Sequence, residues 1–293
     1  MDWDDLRVFL AVARTESLSA AGKRLKIDPA TVGRRVARLE EATRARLFSK
    51  SPQGYALTEE GARLIPHAEQ IERATASAVE GLSGPSGLTG LIRLGAPDGC
   101  ANYMLPQVLA RICADNPGLE VQLVALPRVF NLSKREADMA IGVSRPETGR
   151  LTVQKLTDYR LHLAASRDYL ARRPVLDPED LKNHAFVGYI PDLIFDKELD
   201  YLSEIGAPPV TLSSNSVSVQ LNFLRQGAGL GVVHDFALPA APELVRVLPG
   251  QISLQRAFWL IRHADDVRID RLNRFAEALI RESRVEIARL EAA

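Results

Sequence analysis

The residues from Leu18 to Leu39, LSAAGKRLKIDPATVGRRVARL, constrain the fold more than any other stretch of the chain. Asp28 followed by Pro29 marks a helix start. A carboxylate at the N-cap accepts from an orphan backbone N–H, and proline at the first helical position gives up only a donor that had no partner. Upstream, Ser19 is read as the cap of a shorter helix running through Ala20, Ala21 and Leu25, with Lys26 and Ile27 as the turn. Val32, Val36 and Leu39 share one face at spacings of four and three, so they are expected to pack inward. Thr31, Arg34, Arg35 and Arg38 lie off that stripe. Two helices, a tight turn and a basic outer face on the second predict a helix-turn-helix whose second helix suits a DNA major groove. A helical hairpin with a merely solvated basic face is the alternative.

The neighbouring segments favour the first reading. Asp4 to Arg14 reads as a helix that closes a three-helix core with Leu6, Phe9, Leu10 and Ala13. Leu47–Lys50 and Tyr55–Thr58 flank a Ser-Pro-Gln-Gly turn and predict a hairpin, the wing of a winged helix-turn-helix, with Lys50 near its tip beside a phosphate backbone. Thr58 to Leu82 reads as one long helix capped by Thr58. Gly61, Ala68, Thr75 and Leu82 fall seven apart, as do Leu64, Ile71 and Ala78, a seam suited to dimerisation. Pro66 inside it is expected to kink the helix or cost about 3 kcal/mol. Packing on its own domain is the other reading of this helix.

Gly81 to Gly90 holds four glycines, two serines and a proline, the clearest linker in the chain. Beyond it strands and helices alternate, which predicts a mostly parallel sheet covered on both faces. About 200 residues in two such sets point to two α/β lobes with a ligand cleft between them. The expected domains are 1–58 for the winged helix-turn-helix, 59–82 for the linker helix, 83–90 for the hinge and 91–293 for the lobes. The first lobe takes 91–161 and 265–293, and the second 162–264.

Composition narrows the function classes. The chain has 37 basic and 37 acidic side chains, so no global charge directs it to nucleic acid. Between Ala20 and Lys50, however, nine Lys or Arg face three acids, a local patch of the kind a DNA footprint requires. The acidic start MDWDDLRVF lacks a basic-then-apolar signal, and no apolar run approaches membrane-spanning length, so a cytoplasmic protein is expected. Two cysteines and five scattered histidines offer no zinc spacing, and no metal or cofactor is expected. Cys100 near a helix start makes redox sensing conceivable, although about 20 Å of helical rise separates it from Cys113. GAGLG at 227–231 follows a helix and enters a strand, the reverse of the dinucleotide order, and no nucleophile–base pairing is legible.

These motifs resemble the LysR-type transcriptional regulators. The likeness rests on Phe9, Ser17-Leu18-Ser19-Ala20-Ala21, Leu25, Leu39-Glu40, Leu47-Phe48, and Leu57-Thr58 followed by Gly61. It extends through READMAIG (135–142), GAGLGVV (227–233) and AFWLIRH (257–263). The resemblance implies a winged helix-turn-helix, a dimerising linker helix and an effector domain like a type 2 periplasmic binding protein. It implies a non-enzymatic regulator of double-stranded DNA acting as a homodimer or homotetramer, with a small-molecule effector and RNA polymerase as a further candidate partner. Two departures stand out. Gly33 replaces a serine that many members present to DNA, and Ala45-Arg46 replaces a glycine-containing turn before the wing.

Together these readings make Ser19, Ala30, Thr31, Gly33, Arg34, Arg35, Arg38 and Lys50 the candidate DNA-binding residues. Ala30, Thr31 and Arg34 are expected at base edges, and Arg35, Arg38 and Lys50 at phosphates. The alternative for Arg38 is a pair with Glu41 or solvent. The resemblance places an effector site at Pro97, Asp98, Gly99, Arg128, Arg145, Asn215 and Ser216. Ser216 would cap a helix whose N-terminus suits an anionic effector, although Asp98 would repel a simple dianion. Ordinary capping by Ser216 and surface salt bridges at Arg128 and Arg145 are the plainer readings. A binding protein or enzyme that uses the N-terminal helices to oligomerise is the competing class.

Overall fold

The computed structural model describes residues 2–51, 54–82, 87–125, 137–146 and 149–292, which form two compact units, Met1–Ser86 and Gly87–Ala293. In the first, α1 (Trp3–Thr15), α2 (Leu18–Leu25) and α3 (Pro29–Thr43) enclose Leu6, Phe9, Leu10, Ala21, Val32, Val36 and Leu39. Asp28 caps α3 by accepting from the Ala30 N–H at 2.8 Å, and Pro29 takes the first turn. The cap of α2 is Ser17, whose hydroxyl accepts from the Ala20 N–H at 3.3 Å. Ser19 is therefore not a cap but an exposed residue of the first helical turn. Lys26 ends α2 in the left-handed conformation, the sharp bend that the motif needs.

The wing follows as β1 (Phe48–Ser51) and β2 (Gly54–Leu57), paired antiparallel with Lys50 opposite Tyr55. Its tip residues Pro52 and Gln53 lie outside the described residues. Glu40, near the end of α3, accepts from the Leu47 and Phe48 N–H groups at 2.7 and 3.2 Å, so one carboxylate ties the second motif helix to the wing. The left-handed turn before the wing is made by Arg44, a non-glycine residue.

The long helix α4 (Glu59–Leu82) runs on through Pro66. Its first half does not present the expected seam. Ala68 is fully buried in the N-terminal core, Leu64 and Ile65 pack against that core, and Gly61 sits against the Leu47 carbonyl. Arg14 of α1 reaches Glu72 at 2.8 Å across the same packing. The small residues that suggested a helix pair instead let α4 approach its own domain.

The second unit is built on one mixed sheet. Its strands are β3 (Gly90–Ala96), β4 (Leu119–Ala125), β5 (Met139–Gly142), β6 (Leu151–Ser166), β9 (Gly231–His234), β10 (Leu244–Arg246) and β11 (Ser253–His263), while β7 (Val187–Gly188) and β8 (Leu212–Ser213) form a separate parallel pair. Gly90, read as the last hinge residue, thus opens a strand. The helices are α5 (Asp98–Tyr103), α6 (Leu105–Asp115), α7 (Arg167–Arg172), α8 (Tyr201–Glu204), α9 (Val217–Arg225) and α10 (Asp270–Glu291). The expected short helix at 132–136 lies outside the described residues.

The sheet is not mostly parallel. β3 pairs parallel with β4 and β5, but β11 is antiparallel to both β5 and β6, and β6 is antiparallel to β9 and β10. The antiparallel character centres on the long β6, which lies between β10 and β11 with both running against it. The two strands read as Leu151–Leu156 and Arg160–Ala165 are one continuous strand, β6. Helices α6 and α10 cover the sheet over Ile92, Leu94, Val108, Ile112, Phe275 and Leu279, and a second core forms around Leu163, Tyr169, Phe186 and Leu230. The helix expected over Asp196–Ile205 resolves into one 3-10 turn, Lys197–Leu199, and the short α8.

Candidate functional site

The outer face of α3 divides its arginines into two kinds. Arg34 is exposed, and its Nη2 donates to Thr31 Oγ1 at 3.0 Å one turn earlier on the same helix. With exposed Ala30 beside them, these residues form a surface of a methyl, a hydroxyl and a guanidinium. Such groups can meet a thymine methyl and the two acceptors of guanine. Gly33 faces Leu18, and a Cβ there would meet Leu18 Cδ1 at an ordinary 3.5 Å. A side chain would therefore fit where the chain carries none.

Arg35 and Arg38 are engaged elsewhere. Arg35 pairs with Asp4, and Arg38 donates from Nε to Asp5 Oδ2 at 2.8 Å and from Nη2 to Oδ1. Asp5 is only 1% exposed, so the guanidinium satisfies a carboxylate that has lost its water. That hydrogen bond to Asp5, reinforced by the nearby acids Asp2 and Asp4, holds the Arg38 guanidinium above its ordinary range. The ionic partner is Asp5 rather than Glu41, while the side chain stays more than half open to solvent. The acids at the start of α1, noticed only as incompatible with a signal peptide, clamp the second motif helix to the first. Three acids opening one helix and arginines lining its neighbour were the signal that could have revealed this. Lys50 is exposed on the wing, its ammonium 5.6 Å from the centre of the Tyr55 ring.

In the second unit, α5 and α9 meet at their N-termini. Ser216 caps α9, accepting from the Val219 N–H at 3.4 Å. The anion at this terminus is the protein's own: Asp98 Oδ2 accepts from the Ser216 hydroxyl at 3.0 Å and from the Ser218 N–H at 3.1 Å, while Oδ1 accepts from Asn102 Nδ2 at 3.0 Å. An anionic effector seated here would have to displace that carboxylate, so the terminus read as a ligand site is a built-in latch. Gly99 makes the approach close, since a Cβ there would lie 3.2 Å from Val217 Cγ1. Pro97 precedes α5, and Asn215 is half-buried next to Ser216. Arg145 is exposed and apart from this group, and Arg128 lies outside the described residues. A second latch joins Ser144 to Asp196.

A large cleft lies elsewhere on this unit. It encloses about 600 Å³ between the 189–203 segment, the 207–210 loop and α9, lined among others by Tyr189, Pro191, Leu199, Tyr201 and Gln220. None of Pro97, Asp98, Gly99, Arg145, Asn215 or Ser216 lines it. Sequence reasoning missed this site because its walls come from short turns without periodicity. Cys100 is poorly placed for redox chemistry: it is fully buried, and burial pushes its thiol far above the ordinary range. Among the described residues no cluster could hold a metal ion, and no helix is long and apolar enough to cross a membrane.

Two family models match the chain. The bacterial regulatory helix-turn-helix protein, lysR family, covers residues 3–62, and the LysR substrate binding domain covers residues 85–284. The HTH-type transcriptional regulator DgdR of Burkholderia cepacia is 35% identical over 152 residues, a match that spans 51% of each chain. The Mau operon transcriptional activator of Paracoccus denitrificans is 26% identical over 263 residues, 89% of both chains. Among solved structures, CrgA, a LysR-type transcriptional regulator from Neisseria meningitidis, is 24% identical with a TM-score of 0.59, covering 97% of this chain and 99% of that one. These named relatives are regulators of transcription rather than enzymes. With both halves matched in order, the chain belongs to the LysR family of DNA-binding transcriptional regulators and carries that family's effector-binding domain.

Proposed function

We propose that this regulator reads its operator through Ala30, Thr31 and Arg34 of α3, as a homodimer or homotetramer, and that a small molecule bound in the second unit sets the geometry of that oligomer. The observation that carries the reading is the contrast along α3. Arg34 is exposed and, among the described residues, tethered to Thr31, while Arg35 and Arg38 are held by Asp4 and Asp5. Arg34 is thus the guanidinium available for a bidentate contact to guanine, and Arg35 and Arg38 position the helix. Lys50 and the exposed N-terminus of α2 at Ser19 suit phosphates, which fix register without reading sequence.

The test is a footprint on the DNA upstream of this protein's own gene, with wild type and Arg34→Ala over a salt series. Protection of two half-sites that weakens steeply with salt and is lost or shortened in Arg34→Ala is the expected result. Equal protection by both proteins, with the same base preference, would remove Arg34 from recognition.

A further inference from the structure

Buried hydroxyl and imidazole groups ordinarily find hydrogen-bond partners, because leaving one unpaired costs its full desolvation. Besides the Ser283 hydroxyl, three among the described residues of the second unit do not. The Tyr159 and Tyr201 hydroxyls and His234 Nδ1 are buried and make no well-formed hydrogen bond, the two phenols having only each other nearby. Their residues are 1%, 4% and 5% exposed. They also belong together. His234 lies 5.4 Å from Tyr159 and 6.0 Å from Tyr201, ring centre to ring centre, and the two phenols interact electrostatically with each other.

Tyr201 and His234 line a small chamber with about 10 Å³ of free space, room for one water-sized group. Most of its other walls are apolar, from Val217, Leu221, Leu224 and Val233, with Gln220 a further polar group. Tyr189, Tyr201 and Gln220 line both this chamber and the 600 Å³ cleft, so the two spaces share a wall. Burial keeps both phenols protonated and brings His234 down to about 4, so the chamber presents neutral groups at pH 7. The charges nearby are already matched. Asp235, next to His234, is held by His162 and Arg246, Asp98 by Ser216, Ser218 and Asn102, and Arg256, 5.9 Å from the Tyr201 ring, is paired with Glu198 and Glu204.

We infer that the effector is an uncharged compound, its hydroxyl or carbonyl oxygen entering the chamber to engage Tyr201 and His234, and its apolar body lying against Tyr189, Pro191 and Leu199 in the cleft. An oxygen with donor and acceptor capacity satisfies a phenol and an imidazole at once. A carboxylate or ammonium would surrender its hydration beside charges that already have partners of their own. This deepens the proposed function and rests on it only in calling the ligand an effector.

Full-length protein titrated with benzyl alcohol, benzoate and benzylammonium separates the chemistries, with binding followed by protein-observed NMR. Benzyl alcohol is expected to shift resonances of Tyr189, Tyr201 and His234, and benzoate and benzylammonium to bind at least 10-fold more weakly. Tyr201→Phe is expected to weaken benzyl alcohol about 3- to 10-fold, the size of one neutral hydrogen bond. The same variant should unfold at the same or a higher temperature without ligand, because it removes a buried hydroxyl that makes no well-formed hydrogen bond. A merely structural hydroxyl would leave affinity unchanged or lower the unfolding temperature, and either result overturns the inference. So does preferred binding of benzoate, or of benzylammonium, or the absence of binding by benzyl alcohol. Operator affinity measured with and without benzyl alcohol tests the effector reading separately, since a probe can fill the chamber without altering DNA binding.

Discussion

Gly61→Ala is expected to destabilise the DNA-binding unit, against the ordinary preference of a helix for alanine. A Cβ at Gly61 would lie 2.2 Å from the Leu47 carbonyl oxygen and 2.9 Å from Leu57 Cδ2, where 3.4 Å begins ordinary contact. Roughly 1.2 Å must therefore be found against a backbone atom, the difference between those two distances. The carbonyl has little freedom to retreat, because it accepts from the Thr58 N–H at 3.0 Å, while Thr58 Oγ1 donates to the Arg46 carbonyl at 2.6 Å and caps α4 through the Gly61 N–H. Overpacking of one methyl costs typically about 1–3 kcal/mol, and a clash with fixed backbone belongs at the upper end. Helix propensity returns about 1 kcal/mol. The net expectation is a loss of about 2 kcal/mol, or roughly 8–16 °C in the melting of a unit this size. Gly33→Ala is the internal control. It has the same propensity gain, and its Cβ would meet only Leu18 Cδ1 at 3.5 Å, so it is expected to stabilise by up to about 1 kcal/mol. Calorimetry of the full chain reads both. If Gly61→Ala melted at or above wild type, the close approach of α4 to the wing would be refuted.

Other expectations follow from single groups. Desolvation lowers His234 to about 4, so between roughly pH 6.5 and pH 4 the unfolded chain binds a proton that the folded chain refuses. Stability is then lost as pH falls through that window, by roughly 3 kcal/mol at about 1.36 kcal/mol per unit. Urea midpoints at pH 7 and pH 5 should separate less in His234→Gln than in wild type. Cys100, buried with its thiol pushed up, is expected to resist alkylation in the native protein while half-buried Cys113 reacts slowly, and peroxide should leave operator affinity unchanged. Mass spectrometry after timed iodoacetamide treatment reads the first, and labelling of Cys100 ahead of Cys113 would contradict it. Gly99→Ala, with a Cβ 3.2 Å from Val217, is expected to loosen the α5–α9 latch, detectable as faster hydrogen exchange at Ser218.

Much of the N-terminal unit was legible because its chemistry is local. Asp28-Pro29, the Val32-Val36-Leu39 stripe and the β-like runs around a Pro/Gly turn each specify their element within a few residues. What stayed hidden was tertiary. The Ser17 cap displaced Ser19 by two residues. Ala68 fits a dimer seam and a core equally well, and only the approach of α4 to its own domain decides between them. Arg35 and Arg38 share sequence character with Arg34, yet Asp4 and Asp5, about 30 positions away, set them apart. In the second unit, the alternation of strands and helices concealed β11, which returns antiparallel between β5 and β6 without a helix before it. Ser216 was recognisable as a cap, but its anionic partner, Asp98, lies 118 positions earlier. The buried cluster of Tyr159, Tyr201 and His234 has no sequence signature at all, because three distant segments supply it.

The central claim is the division of labour along α3, and selection of bound sequences from a randomised DNA pool tests it most directly. Wild type, Arg34→Ala and Arg38→Ala would each be taken through the same selection at one salt concentration. Arg34→Ala is expected to lose preference at a guanine in each half-site, by a discrimination of roughly 1–3 kcal/mol, while Arg38→Ala keeps the wild-type preferences and shows its effect in the melting of the DNA-binding unit. An Arg38→Ala protein with altered base preference, beside an Arg34→Ala protein with none, would contradict the assignment.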